Sequence, residues 1–167
     1  TLRHKKAVAC LLWMSTNPLE QIEKVVLQFG GGFSAAGHIR GVAARTVDML
    51  TIVAEVGQIL HPEIDLDKQA AALMTRLQLG IPAEMAALGG VTGSQLTRGD
   101  YLKLSSVKMT SIEAVEAIKD ADLLAVLGGD EEKLKAVRHG IQAAKSAAAS
   151  MQPVPKLAQL LPAPASS

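Results

Sequence analysis

Three short stretches of the sequence combine residue types that proteins use to bind phosphate, metal or nucleic acid. In the first, four residues separate Gly32 from Gly37, as in a nucleotide phosphate-binding loop. His38 and Ile39 stand where such a loop needs a lysine for the phosphates and a hydroxyl for magnesium. We therefore interpret these glycines as a helix end and a flexible entry into the next helix.

The second stretch, His61 with Glu63, Asp65 and Asp67, has the side-chain chemistry of metal ligands at alternate positions. Alternate residues between two helices point in different directions, so the aspartates are better explained as helix caps. Neither a Ser/His/Asp set nor an isolated carboxylate pair is recognisable. We predict no catalytic, metal or cofactor site in this chain.

The third stretch is a glycine turn, Gly90-Val-Thr-Gly93, between two short predicted helices. Helix-hairpin-helix modules use such a turn because glycines let backbone N–H groups approach a phosphate, and the next helix N-terminus adds partial positive charge. Ser94, Thr97 and Arg98 supply further donors of the kind that contact phosphates. We predict nucleic-acid binding by Gly90, Gly93, Ser94, Thr97 and Arg98.

Basic residues elsewhere extend this prediction. Arg40 has no carboxylate three or four residues away, whereas Arg45 is spaced to pair with Asp48. The sequence contains no acidic residue after Glu132, while its last part holds Lys133, Lys135, Arg138, Lys145 and Lys156. This run is either a solvated helix face or a basic surface for a partner.

The elements that position these residues are predicted to be helical. Apolar residues make up 49% of the chain and aromatic residues 2%, with Ala and Leu dominant, which favours an all-α fold over a sandwich or barrel. Helical periodicity and capping residues predict helices at about 2–14, 18–29, 34–60, 66–79, 82–88, 95–104, 111–118, 122–127 and 131–148.

The longest predicted helix, 34–60, is apolar around more than half of its circumference. Ile39, Val42, Val47 and Leu50 lie on one face, and Met49, Ile52 and Val56 widen it. A helix of this kind is normally central in a bundle, so we expect neighbours on several sides.

The chain divides near Gly80. We predict a helical bundle at 1–79, a helix-hairpin-helix-like domain at 80–148 and a Pro/Ala/Ser-rich tail at 149–167 that is disordered or docks a protein partner. The net charge is +1, the single cysteine excludes an internal disulfide, and no stretch is suited to a bilayer. We expect a cytoplasmic protein and, because the sequence begins with Thr, part of a longer chain.

The order of local patterns resembles a known family over about residues 7–144. Leu11-Leu-Trp13 and Pro18-Leu-Glu-Gln-Ile22 precede the long helix. The stretch from Arg76 to Leu88, the glycine turn, Leu96-Thr-Arg-Gly-Asp-Tyr-Leu102 and Leu123-Leu-Ala-Val-Leu-Gly128 follow it. This succession is similar to the C-terminal part of superfamily-2 DNA helicases of the archaeal and HelQ-like repair group, in which a helical ratchet bundle precedes a helix-hairpin-helix domain.

The resemblance implies a non-motor region of an ATP-dependent DNA-repair helicase. Arg40, with Arg45, would contact the phosphates of a single or branched DNA strand along the long helix. The glycine turn would hold the exiting strand, and Lys133, Lys135 and Arg138 would add basic surface. ATP and Mg would bind the motor domains, which this chain lacks, so it would not hydrolyse ATP alone. The family's stacking aromatic, two turns after Arg40, is replaced by Val47 and Asp48.

Two further functions are compatible with the sequence. The near-neutral charge and the Pro-rich tail favour a helical protein-interaction module without nucleic-acid binding. The second alternative is the equivalent region of an RNA helicase, because contacts to the nucleic-acid backbone hardly distinguish ribose from deoxyribose.

Overall fold

The computed structural model describes residues 2–27 and 35–150, and all regular structure within these ranges is helical. The all-α prediction is therefore confirmed. The α-helices of the described ranges are α1 (Leu2–Trp13), α2 (Leu19–Leu27), α3 (Ala35–Leu60), α4 (Leu66–Leu79), α5 (Ala86–Thr92), α6 (Arg98–Ser106), α7 (Ile112–Ala117), α8 (Asp120–Val126) and α9 (Glu131–Ser150). Short 3-10 turns at Ala83–Met85 and Gly93–Gln95 flank α5. None of these helices is both long and apolar enough to cross a membrane.

Capping residues fix both ends of α4, as the sequence predicts. The Asp65 carboxylate accepts a hydrogen bond from the backbone N–H of Lys68 at 3.1 Å. At the other end, Gly80 adopts a left-handed conformation (φ +67°) and its N–H bonds to the carbonyl of Arg76. Glycine is the residue best suited to this position, because a side chain disfavours positive φ.

The region around the glycine turn differs from the prediction. We expected a helix that ends at Leu88, but α5 continues through Gly89 and Gly90 to Thr92. Gly89 is buried, and a Cβ there would come within 2.5 Å of Ile81, so glycine permits the close packing of α5. Glycine therefore acts at this position as a small residue inside a helix and not as a helix end.

Two hydrophobic clusters form the core, one on each side of Gly80. The first lies among α1 to α4 and contains Ala9, Cys10, Trp13, Met14, Ile22, Ile39, Val42, Ala43 and Leu77. The second lies among α5 to α9 and contains Ile81, Met85, Leu88, Leu96, Tyr101, Leu104, Val115, Leu123, Leu127, Val137 and Ile141. The C-terminal end of α4 joins them, because Leu77 belongs to the first cluster and Leu79 packs on the second.

Helix α3 packs against α1, α2 and α4, but these neighbours do not surround it. Its buried residues, Ile39, Val42 and Ala43, all lie in its N-terminal half. Large apolar side chains in its C-terminal half, among them Met49, Ile52 and Val56, are exposed. The expectation of neighbours on several sides is therefore wrong for this half of the helix.

Candidate nucleic-acid interface

Trp13 lies at the junction of the two clusters. The side chain is buried, and its Nε1–H donates a 2.8 Å hydrogen bond to the carbonyl of Leu77 on α4. Its ring also lies against Gly80, where a Cβ would come within 2.4 Å of the indole. Gly80 therefore has two reasons to be glycine, its positive φ and the close approach of the Trp13 ring.

Arg98 reaches this junction from the start of α6. Thr97 caps that helix: the backbone N–H of Asp100 bonds to its hydroxyl, and the Asp100 carboxylate accepts from the N–H of Thr97 at 2.9 Å. This reciprocal capping box fixes the first turn of α6 and hence the direction of the Arg98 side chain. The T-x-x-D pattern could have been recognised in the sequence.

The Arg98 guanidinium donates hydrogen bonds to backbone carbonyls from two separate segments, the end of α4 and the connection between α1 and α2. Its Nε bonds to Gly80 O at 2.8 Å, and its Nη2 bonds to Ser15 O and Asn17 O at 2.9 and 2.8 Å. A longer contact of 3.4 Å joins Nη2 to Trp13 O. Partial burial lowers the pKa of Arg98 from its usual value. The side chain thus ties α6 to the connection between α1 and α2.

Two guanidinium groups lie over the Trp13 ring. The guanidinium carbon of Arg98 is 5.0 Å from the ring centroid, and that of Arg40 on α3 is 5.9 Å from it. Both distances fall within the range of about 6 Å for cation–π contacts. Because both carbons lie this close to the same ring, they are at most about 11 Å apart. We call Arg40, Trp13 and Arg98 the arginine–tryptophan cluster. It brings together two residues that the sequence predicts as DNA contacts.

Arg40 is the exposed member of this cluster. Across residues 2–27 and 35–150, the structure shows no ion pair between Arg40 and a carboxylate. Its guanidinium therefore keeps an uncompensated positive charge, while the Trp13 ring restricts its position.

Arg45, the other predicted contact on α3, faces a different direction. At 100° per residue it is about 140° around the helix from Arg40. No ion pair joins it to Asp48 in the described part of the chain, contrary to the expectation from their spacing. Arg45 instead lines an apolar groove among α1, α3 and α4.

The two glycines predicted to hold a strand have different surroundings. Gly90 is exposed within α5, whereas Gly93 follows α5 with φ +55°. The Tyr101 hydroxyl donates a 2.6 Å hydrogen bond to Gly93 O and lies 2.7 Å from the Thr92 hydroxyl. Burial raises the pKa of Tyr101, which keeps this hydroxyl protonated. Tyr101 therefore anchors the turn from inside, leaving Ser94 exposed at its surface.

Carboxylates of α6, α8 and α9 itself pair with basic residues of α9. Lys133 contacts Asp100 at 3.0 Å, Lys135 contacts Glu132 at 2.9 Å, and Arg138 contacts Asp120 at 2.7 Å. Arg138 also donates to the carbonyls of Val115 and Ile118 at 2.9 and 2.6 Å.

These ion pairs reduce the positive electrostatic potential that the basic residues after Glu132 would otherwise produce. The Lys135 pair is exposed and weakly held, so its cation can exchange one anionic partner for another. Lys133 and Arg138 are held by partly buried contacts instead. Their partners lie 33 and 18 residues away in sequence, so a local count of charges could not reveal them.

The Asp100 carboxylate is the central acceptor beside α6. Burial disfavours its charged form, but hydrogen bonds from Thr97 and Lys133 outweigh this effect and lower the pKa of Asp100. The hydrogen bond between Lys133 and Asp100 also raises the pKa of Lys133. Both groups therefore remain charged at neutral pH.

In the second stretch singled out in the sequence, the side chains make local contacts. Asp65 caps α4, and His61 Nδ1 lies 3.2 Å from Glu63 at an exposed position. The described residues contain no group of three or more His, Cys, Asp or Glu side chains placed to hold a metal ion. The first part of the Gly32–Gly37 stretch and the tail after Ser150 lie outside the described residues.

Comparisons with known proteins give no relative from which a function can be transferred. No family model, curated protein or solved structure matches the chain. The arginine–tryptophan cluster must therefore be interpreted from its own chemistry.

Proposed function

We propose that this chain is an accessory, non-motor region of an ATP-dependent DNA helicase and contacts single-stranded DNA through backbone phosphates. The observation that carries the proposal is the convergence of Arg40 and Arg98 over Trp13, with Arg40 exposed and its charge uncompensated. Unwinding and ATP hydrolysis belong to motor domains outside this sequence.

The two arginines have different tasks in this proposal. Arg40 makes the phosphate contact, for which the planar guanidinium with its several N–H donors is well suited. Arg98 is committed to backbone carbonyls, so it holds the site together and adds positive charge at longer range. Exposed Ser94, in the 3-10 turn Gly93–Gln95, supplies a further donor.

Binding of this kind is independent of base sequence. Among the residues that the structure describes, the aromatic side chains Trp13 and Tyr101 are both buried, so neither offers a ring face on which a base can stack. In this proposal affinity comes from charge and decreases steeply with salt, because each neutralised phosphate releases condensed counterions.

Fluorescence anisotropy with a labelled oligothymidine strand tests the proposal across a salt series. Arg40→Ala should weaken binding about three- to tenfold and lower the salt slope by about 0.7, the value for one phosphate contact on a single strand. The matched control is Lys68→Ala, which removes an exposed cation from α4. Arg40→Lys should recover the salt slope but only part of the affinity.

Two outcomes would overturn the DNA proposal. One is the absence of binding at low salt, which would leave a protein-interaction module as the function. The other is an equal effect of Arg40→Ala and Lys68→Ala, which would mean that the cluster is not the contact. A matched RNA strand that competes more strongly than the DNA strand would assign the region to an RNA-dependent enzyme instead.

A further inference from the structure

The C-terminal half of α3 presents an apolar surface that no part of the described chain covers. We call it the apolar face; it consists of Met49, Ile52, Val53, Val56, Ile59 and Leu60. Their exposed fractions range from 50% at Val56 to 80% at Ile59. Val56 is about 160° around the helix from Arg40, so the face and the arginine–tryptophan cluster occupy different sides of α3.

The face is large enough to form an interface. Its six residues expose on the order of 700 Å², whereas the largest apolar patch of a typical monomer is about 300–600 Å². Two such faces in contact would bury at most about 1,400 Å² in total, which reaches the range of about 1,200–2,000 Å² for specific complexes. A second copy of this chain therefore provides a partner of the required area and chemistry.

The spacing of the face is that of a coiled-coil seam. Met49, Ile52, Val56 and Ile59 follow one another at intervals of three, four and three residues, which is a heptad pattern of core positions. Four residues before Met49 the same pattern reaches Arg45, and four residues after Ile59 lies Glu63, three residues beyond the end of α3. Glu63 is exposed in the turn that follows α3.

The opposite charges at the two ends determine the orientation. A parallel pair would place the two copies of Arg45 together, and likewise the two copies of Glu63. An antiparallel pair with its two-fold axis at Ala54 places Arg45 opposite the partner's Glu63. The same axis aligns Met49 with the partner's Ile59, and Ile52 with the partner's Val56, so each apolar seam position faces an apolar residue.

We infer that the chain forms an antiparallel homodimer through the apolar face of α3. The apolar groove beside Arg45 and Met49, about 620 Å³ in volume, extends the face at its N-terminal end. Exposed Leu11 on the groove wall enlarges the apolar surface that the end of the partner's α3 would cover. This inference is independent of the DNA proposal, and Arg40 remains accessible in the dimer.

Sedimentation equilibrium of the full 167-residue chain over a concentration series tests the inference. Wild type should be dimeric in the micromolar range, and Ile52→Lys should raise the dissociation constant at least tenfold. The matched control is Val107→Lys, which adds the same charge at an exposed apolar position outside the face. Circular dichroism should show equal helicity for both variants, because both sites are exposed.

Charge reversal tests the orientation. Arg45→Glu should weaken the dimer by placing two acids opposite each other, and Arg45→Glu combined with Glu63→Arg should restore it. A chain that remains monomeric at all concentrations would overturn the inference, as would a dimer that tolerates Ile52→Lys. Failure of the double variant to recover would overturn the antiparallel arrangement.

Discussion

Replacing Arg98 with alanine should destabilise the fold more than any other single change to a cation on α6. The substitution removes three short hydrogen bonds, to Gly80 O, Ser15 O and Asn17 O, and the stacking contact with Trp13. Hydrogen bonds from charged groups contribute about 1.5–3 kcal/mol each when buried. These carbonyls are only partly buried, and water can reach them after truncation, so about 1 kcal/mol each is appropriate.

The contact with Trp13 adds about 0.5–1 kcal/mol. Arg98→Ala should therefore lower the free energy of unfolding by about 3–4 kcal/mol, a large part of the 5–15 kcal/mol typical of a domain. Arg98→Lys keeps the charge but lacks the planar fork, so it should lose about 2 kcal/mol.

Urea unfolding followed by far-UV circular dichroism measures these differences. All variants should be compared at one low protein concentration, because self-association would add to the apparent stability. Lys103→Ala, also on α6, removes an exposed cation and should change stability by less than about 0.5 kcal/mol. A loss below about 1 kcal/mol for Arg98→Ala, or wild-type stability for Arg98→Lys, would refute the stabilising role of the Arg98 hydrogen bonds to Gly80, Ser15 and Asn17.

Three further changes probe the surroundings of Arg98 and α6. Gly80→Ala should lower the free energy of unfolding by about 3 kcal/mol or more, because this position has positive φ and a Cβ would collide with the Trp13 ring. A loss below about 1 kcal/mol in urea unfolding would contradict that packing. Tyr101→Phe should lower the free energy of unfolding by about 1–3 kcal/mol, because the Gly93 carbonyl loses the Tyr101 hydroxyl as its hydrogen-bond donor. An unchanged urea midpoint would show that water replaces this donor. The lowered pKa of Asp100 means that its stabilising effect is present above about pH 4 and is lost as the pH falls through its folded-state pKa. Asp100→Asn should therefore make the free energy of unfolding depend less on pH below about pH 4. The same pH dependence as wild type in this range would contradict the prediction.

The helices could be predicted from the sequence because the signals that start and end them are local. Asp65 and Gly80 sit at the ends of α4 with capping roles that depend on a few neighbouring residues. The glycines after Leu88 were misinterpreted because glycine can end a helix or permit close packing within one. Only the position of Ile81 beside Gly89 decides between these roles.

The candidate site depends on contacts between residues far apart in sequence. Arg98 bonds to the carbonyl of Ser15, 83 residues away in sequence. The local sequence around Arg98 predicts only a donor available for a phosphate. Trp13 was not among the predicted site residues, although it is the single tryptophan of the chain. Periodicity likewise showed that α3 is apolar on several sides but could not show which side lacks a neighbour.

The position of Trp13 has a consequence for spectroscopy. It is the only indole in 167 residues, and it lies where α6 approaches the connection between α1 and α2. Indole emission responds to solvent and to nearby charges, so the unlabelled chain carries an intrinsic reporter of this junction. Separation of α6 from α1 would shift the emission while the helices remain intact, which distinguishes a local opening from global unfolding.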